Sequence, residues 1–228
     1  MRLIFIHGSG GSKESWTYQT RHFPFSEAVD LPGHPHGRLC PTIPEYADWL
    51  KDYIDGQGYQ DVVLAGHSLG SGIVLQYALD HPQDLKAIIC VGGGARLRVH
   101  PKFLEPLEKA LTDPALWQQT VDARQDHIPP DLSAVLKKRM MENGPQAFLN
   151  DMKACDQFDV MGRLGEIKLP ALALCGDEDV MTPPKYSNFL ADKIAGCRAV
   201  IVPGGTHMAF AEKPDEVNQA IEEFLAGL

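Results

Sequence analysis

The chain has 228 residues, 44% of them apolar, with 21 Lys and Arg against 30 Asp and Glu for a formal net charge of −9. That length suits one large α/β domain whose core needs neither disulfides nor a structural metal. The negative balance argues against a general binder of nucleic acid or acidic membrane, which needs clustered positive charge, and disfavours strongly anionic small molecules unless a local field reverses it.

Met1-Arg2 runs directly into Leu3-Ile4-Phe5-Ile6, read as a first strand with no signal peptide ahead of it. Further apolar runs follow at Ala28–Leu31, Val62–Ala65, Ala87–Val91, Ala171–Cys175 and Ala199–Val202. Continuous, non-alternating runs of this kind suit strands covered on both faces. Helical patterns lie between them. Thr42-Ile43-Pro44-Glu45 reads as a capping box; Ile43, Ala47, Leu50 and Ile54 then recur at helical spacing, with Gly56 as the expected stop. Ser71–Leu79 reads as a second helix, and Pro183–Ile194 and Pro214–Leu225 as two more opened by proline. The alternation predicts an α/β fold: an open, mostly parallel sheet of about six strands with helices on both faces.

From about Arg96 to Ile167 the alternation stops. Amphipathic segments such as Phe103–Leu111 and Leu132–Met141 predict a helical cap or lid insertion, residues 96–167, within a single domain spanning 1–228. Phe103, Leu107, Leu111, Trp117, Met140, Met141, Phe148 and Phe158 read first as helix packing, with the lining of an apolar acyl or aryl pocket as a second role. The Lys137-Lys138-Arg139 run reads as a solvated helix face. Cys40, Cys90, Cys155, Cys175 and Cys197 are widely spaced and form no Cys-x-x-Cys pair, which predicts free thiols. No stretch approaches the roughly 20 apolar residues that span a bilayer. Together these features predict a soluble, cytoplasmic protein.

The chemistry concentrates at Gly66-His67-Ser68-Leu69-Gly70, between a strand and a helix, the context of a nucleophile elbow. A serine on so sharp a turn is forced into strained backbone geometry, and small residues two positions to either side avoid clashes. The helix that follows offers N–H groups to a developing anion. A serine hydroxyl needs a base oriented by an acid. His207, directly after the last strand, is the base candidate; the loop after Ala171–Cys175 offers Asp177, Glu178 and Asp179 as the acid. Such loops, at the C-terminal ends of parallel strands, are where these sheets bind ligands. Gly8-Ser9-Gly10-Gly11-Ser12-Lys13 lacks the ending of a phosphate loop, and no dinucleotide fingerprint is present. His34-Pro35-His36 has no third ligand nearby and reads as a turn. No cofactor and no metal are expected.

The chain resembles the α/β-hydrolase superfamily along nearly its whole length. The resemblance rests on Phe5-Ile6-His7-Gly8-Ser9-Gly10, Asp30-Leu31-Pro32-Gly33-His34, the Ser68 elbow, and Gly176–Pro183 with Gly205-Thr206-His207. It implies Asp179 as the acid, since the family's acid stands at the last of the three candidate positions. It also implies an oxyanion hole from the backbone N–H groups of Ser9 and Leu69, with His7 bracing the loop, and sets His34 and His36 near the mouth of the site. Serine at position 68 separates the chain from dehalogenase and epoxide-hydrolase members, which carry aspartate there. The implied activity is hydrolysis of a small carboxylic ester or thioester through an acyl-enzyme. The alternatives are carbon–carbon bond cleavage by the same triad and a non-catalytic small-molecule sensor.

Overall fold

The strands are apolar along both of their faces, and the computed structural model, which describes residues 1–123 and 128–228, accounts for it. β1 (Arg2–Ile6), β2 (Ser26–Val29), β3 (Val62–His67), β4 (Leu85–Val91), β5 (Ala171–Gly176) and β6 (Cys197–Val202) form one sheet in the order β2-β1-β3-β4-β5-β6. Every pairing is parallel. Alternate strand residues enter opposite layers, as the pleat requires. Ile4, Ile6, Leu64, Ile88 and Ala173 pack with α2 (Ile43–Gln57), α3 (Leu69–Asp80) and α7 (Pro184–Lys193). Leu3, Phe5, Val63, Ile89 and Leu174 pack with Trp16, Phe23, Phe210 of α8 (Ala209–Glu212) and Val217, Ile221 and Phe224 of α9 (Pro214–Leu225). The short α1 (Thr17–His22) completes the second layer.

Boundaries move where the sequence signal is indirect. β2 begins earlier than the Ala28–Leu31 run because an edge strand exposes one side: Ser26 and Glu27 pair with Leu3 and Ile4, and Glu27 meets Arg2 at 3.1 Å. α2 runs past Gly56 to Gln57 and stops at Gly58, whose φ of 68° is the left-handed conformation that ends helices. Half of the expected capping box forms at its N-terminus: Thr42 Oγ1 accepts from the Glu45 N–H, while the Glu45 carboxylate accepts from the Thr42 hydroxyl at 3.0 Å. α3 begins at Leu69, directly after the elbow, rather than at Ser71.

Between β4 and β5 come α4 (Pro101–Ala110), α5 (Pro114–Asp122) and α6 (Pro130–Gln157), the last kinked at Gly144, where φ is 77°. They share an apolar cluster that includes Leu107, Trp117, Val121, Met140, Phe148 and Met152. Arg96 and Asp159 form an antiparallel bridge that draws the two ends of this segment together. Of the apolar residues singled out in the sequence, Phe103, Leu111 and Met141 are exposed, and Phe158 joins the main core. The Lys137–Arg139 run is not uniformly a solvated face. Arg139 reaches Glu14 Oε2 at 3.2 Å and Asp30 Oδ2 at 3.0 Å, clamping α6 onto the sheet domain. All the cysteines are free thiols, and Cys90 and Cys175 are buried. Among the described residues no helix is long and apolar enough to cross a membrane.

Candidate active site

The turn from β3 into α3 explains the glycine spacing of the motif. Ser68 takes φ 53° and ψ −112°, a strained conformation for a residue with a side chain. A Cβ on Gly66 would collide with the Gly70 carbonyl, and one on Gly70 would sit 2.5 Å from the Ile6 carbonyl oxygen. The Ser68 N–H donates to Val91 O of β4 at 3.0 Å, and the Ser68 carbonyl accepts from Ser71 and Gly72, starting α3 beneath the side chain. Leu69 is the first residue of α3, where an amide has no partner within the helix.

The loop after β5 buries one carboxylate and exposes two. Asp179 has a fully buried side chain and accepts at Oδ1 from the Met181 and Thr182 N–H groups, each at 2.8 Å. Its Oδ2 accepts from Thr182 Oγ1 and from His207 Nδ1, again at 2.8 Å. Burial on its own would raise this carboxyl, but the bonds from His207 and Thr182 prevail and hold it down at about 2. Asp177 and Glu178 are exposed, and Asp177 instead ties down the neighbouring loop by accepting from the Gly204 N–H at 2.7 Å. With Nδ1–H given to Asp179, Nε2 is the basic nitrogen of the His207 ring.

Ser68, His207 and Ser9 line a cavity of about 490 Å³ together with Thr120, Met140, Phe148 and Met152 of α5 and α6. The same trio borders a second cavity of about 60 Å³. Two buried histidines brace the surroundings. His7 accepts from the Leu31 N–H at 3.0 Å and contacts Gly8 O at 2.8 Å; burial, reinforced by nearby His34, lowers it to about 4, so it stays neutral. His67, lowered by burial to about 3, donates Nε2–H to the His207 carbonyl at 2.9 Å. His34 is buried against Asp151, His36 is exposed, and neither borders the two cavities.

Residues 3–220 match the family model described as alpha/beta hydrolase family. The chain belongs to the alpha/beta hydrolase family. This hydrolase is 25% identical over 248 residues to a pimeloyl-[acyl-carrier protein] methyl ester esterase of Neisseria meningitidis, covering 99% of this chain and 93% of that one. It is 26% identical over 239 residues to an (E)-2-((N-methylformamido)methylene)succinate hydrolase of Acinetobacter baylyi, covering 98% and 89%. A solved thermophilic esterase superposes with a TM-score of 0.84 at 29% identity, covering 99% of this chain and 90% of that one. The named relatives are hydrolases, which supports hydrolysis as the broad activity.

Sequence reasoning missed several supports of the hydrolase's site. Asp151 of α6 is fully buried and accepts from the Gly10 N–H at 2.8 Å, Tyr46 Oη at 2.7 Å and His34 Nε2 at 2.9 Å. Asn143, just before the kink, donates to the Gly10 and Gly11 carbonyls. Glu212 accepts from the Thr206 N–H at 2.7 Å, fixing the loop that carries His207. A lone acidic residue inside an amphipathic helix gave no signal for the first of these.

Proposed function

We propose that this chain is a serine hydrolase that cleaves a small carboxylic ester or thioester through an acyl-enzyme. The observation that carries the reading is the 2.8 Å His207 Nδ1 to Asp179 Oδ2 bond, on a histidine that shares a cavity with the strained Ser68. In this reading His207 Nε2 takes the Ser68 proton as Oγ bonds to the substrate carbonyl carbon. The carbonyl π electrons move onto oxygen, which the Ser9 and Leu69 amides receive. Among the described residues neither amide donates to a protein acceptor. Loss of one such donor costs about 2.7–4 kcal/mol of transition-state stabilisation. The intermediate collapses, His207 hands its proton to the departing alcohol or thiol, and water attacks the acyl-serine by the same route in reverse. Asp179 keeps the imidazole in its productive tautomer and stabilises its protonated form. Residues 96–167 act as a cap, supported by the α5 and α6 side chains that wall the larger cavity.

The names of the Neisseria relative and of the thermophilic neighbour support an ester as the substrate. The test is rapid mixing with a p-nitrophenyl ester. An initial burst of p-nitrophenol stoichiometric with enzyme, absent in Ser68→Ala, is expected of an acyl-enzyme. Turnover of a vinylogous diketone far above any ester would instead assign the triad to carbon–carbon cleavage. A tight ligand without turnover of either would assign a sensor.

A further inference from the structure

Among the described residues, the two cavities that meet at Ser68 and His207 differ in the charged side chains that line them. Among the described residues the larger is lined by no Asp, Glu, Lys or Arg, and Met140, Phe148, Met152 and Met208 give it apolar lining. The smaller shares Ser9, Ser68, Met152, Met181 and His207 with it, and then adds Arg98 and Tyr186. We infer that this smaller arm is a carboxylate subsite anchored by Arg98, and that the preferred substrates are esters carrying a short acid group. This rests on the serine-hydrolase reading above.

Arg98 is held where a ligand can use it. The flanking backbone is fixed to the end of α6: the Val99 N–H donates to Asp156 Oδ1 at 3.0 Å and the Leu97 N–H to Phe158 O at 3.4 Å. The guanidinium itself donates from Nη1 to the Asp156 carbonyl at 3.1 Å. That bond orients the group without neutralising it, and four of its five N–H donors remain. Among the described residues no carboxylate lies within ion-pair distance of Arg98, whereas neighbouring Arg96 meets Asp159 Oδ2 at 3.8 Å. Among these residues Arg98 makes no ion pair at this cavity, and an arginine free of a carboxylate partner is a cation that an incoming anion can pair with, although the Asp156 carboxylate, held by the Val99 N–H, lies close by.

The rest of the arm does not compete for that role. The Thr182 hydroxyl is committed to Asp179. Burial pushes the Cys155 thiol up to about 12, so it contributes a neutral wall. A volume of about 60 Å³ fits a compact group such as a carboxylate. The arms therefore sort a substrate into an apolar portion in the larger cavity and a compact carboxylate beside Arg98.

The experiment compares methyl half-esters of short dicarboxylic acids with methyl-terminated esters of the same length, each rate normalised to its alkaline hydrolysis. A charge-assisted hydrogen bond corresponds to a preference for the half-ester of roughly tenfold in kcat/KM. The preference should fall toward unity in Arg98→Gln, invert in Arg98→Glu, and weaken with added salt, since Arg98 is exposed. The same ratio in all three proteins, each folded by circular dichroism, would overturn the proposal. Binding of the half-ester to Ser68→Ala reads the subsite without turnover. Affinity about tenfold weaker on adding Arg98→Glu upholds the subsite even where the hydrolase reading fails, and equal affinity refutes it even where that reading stands.

Discussion

Asp179 keeps its charge while fully buried, and that sets how the site responds to acid. Its folded pKa of about 2 lies below the ordinary 3.8, so its stabilisation is present above 3.8 and is lost as pH falls through 2. The difference corresponds to about 2 kcal/mol. Asp179→Asn should therefore lower stability at neutral pH, and its gap to the wild type should narrow on acidification over that interval, read by urea melts at stepped pH. The same variant should cut kcat by about 10⁴-fold with KM little changed, because an asparagine no longer selects the His207 tautomer. Gly66 is a purely steric case. Gly66→Ala drives a Cβ into the Gly70 carbonyl, backbone that cannot yield without moving Ser68. Loss of soluble protein, or of all ester turnover in what remains, is the expected result on expression and assay.

α6 joins the insertion to the rest of the molecule. Arg139 grips Glu14 and Asp30, Asn143 holds the Gly10 and Gly11 carbonyls, and Asp151 binds Gly10, Tyr46 and His34. Asp151→Ala leaves those buried donors without their acceptor and should cost about 3–5 kcal/mol in a denaturant titration. The cost should depend on pH. Burial opposes protonation of His34, but the bond and charge of Asp151 outweigh it and leave the imidazole above its ordinary 6.5, against the neutral His7 beside it. The ion-pair part of the stabilisation is then complete below 6.5 and lost as pH rises through the raised value, so the mutational cost should shrink in alkaline buffer. None of this was legible in the sequence. Asp151 stands 141 residues from Gly10 and 117 from His34, and pattern reasoning sees neighbours a few positions apart. The elbow was legible because its constraint is local: a tight turn, flanking glycines, a strand before and a helix after. The central strands were legible because both faces are buried; β2 slipped because its edge position let Ser26 and Glu27 take strand positions without apolar character.

At the scale of the whole molecule, a parallel sheet gathers at one edge four loops that are far apart in the chain. The β1 loop supplies Ser9, the β3 turn supplies Ser68, and the loops after β5 and β6 supply Asp179 and His207 in mutual contact. The chain order serine, acid, histidine follows from which strands carry these loops. From the helical segment between β4 and β5, Met140, Phe148 and Met152 line the larger cavity, and the segment has an apolar cluster of its own. The most direct measurement of an activated serine in this assembly is phosphonylation by a fluorophosphonate, followed by intact mass on wild type, Ser68→Ala and His207→Ala. One adduct per wild-type chain, none on Ser68→Ala and a sharply slowed reaction on His207→Ala is the predicted result. A folded wild type that stays unlabelled, or a Ser68→Ala protein that labels as fast as the wild type, would contradict it.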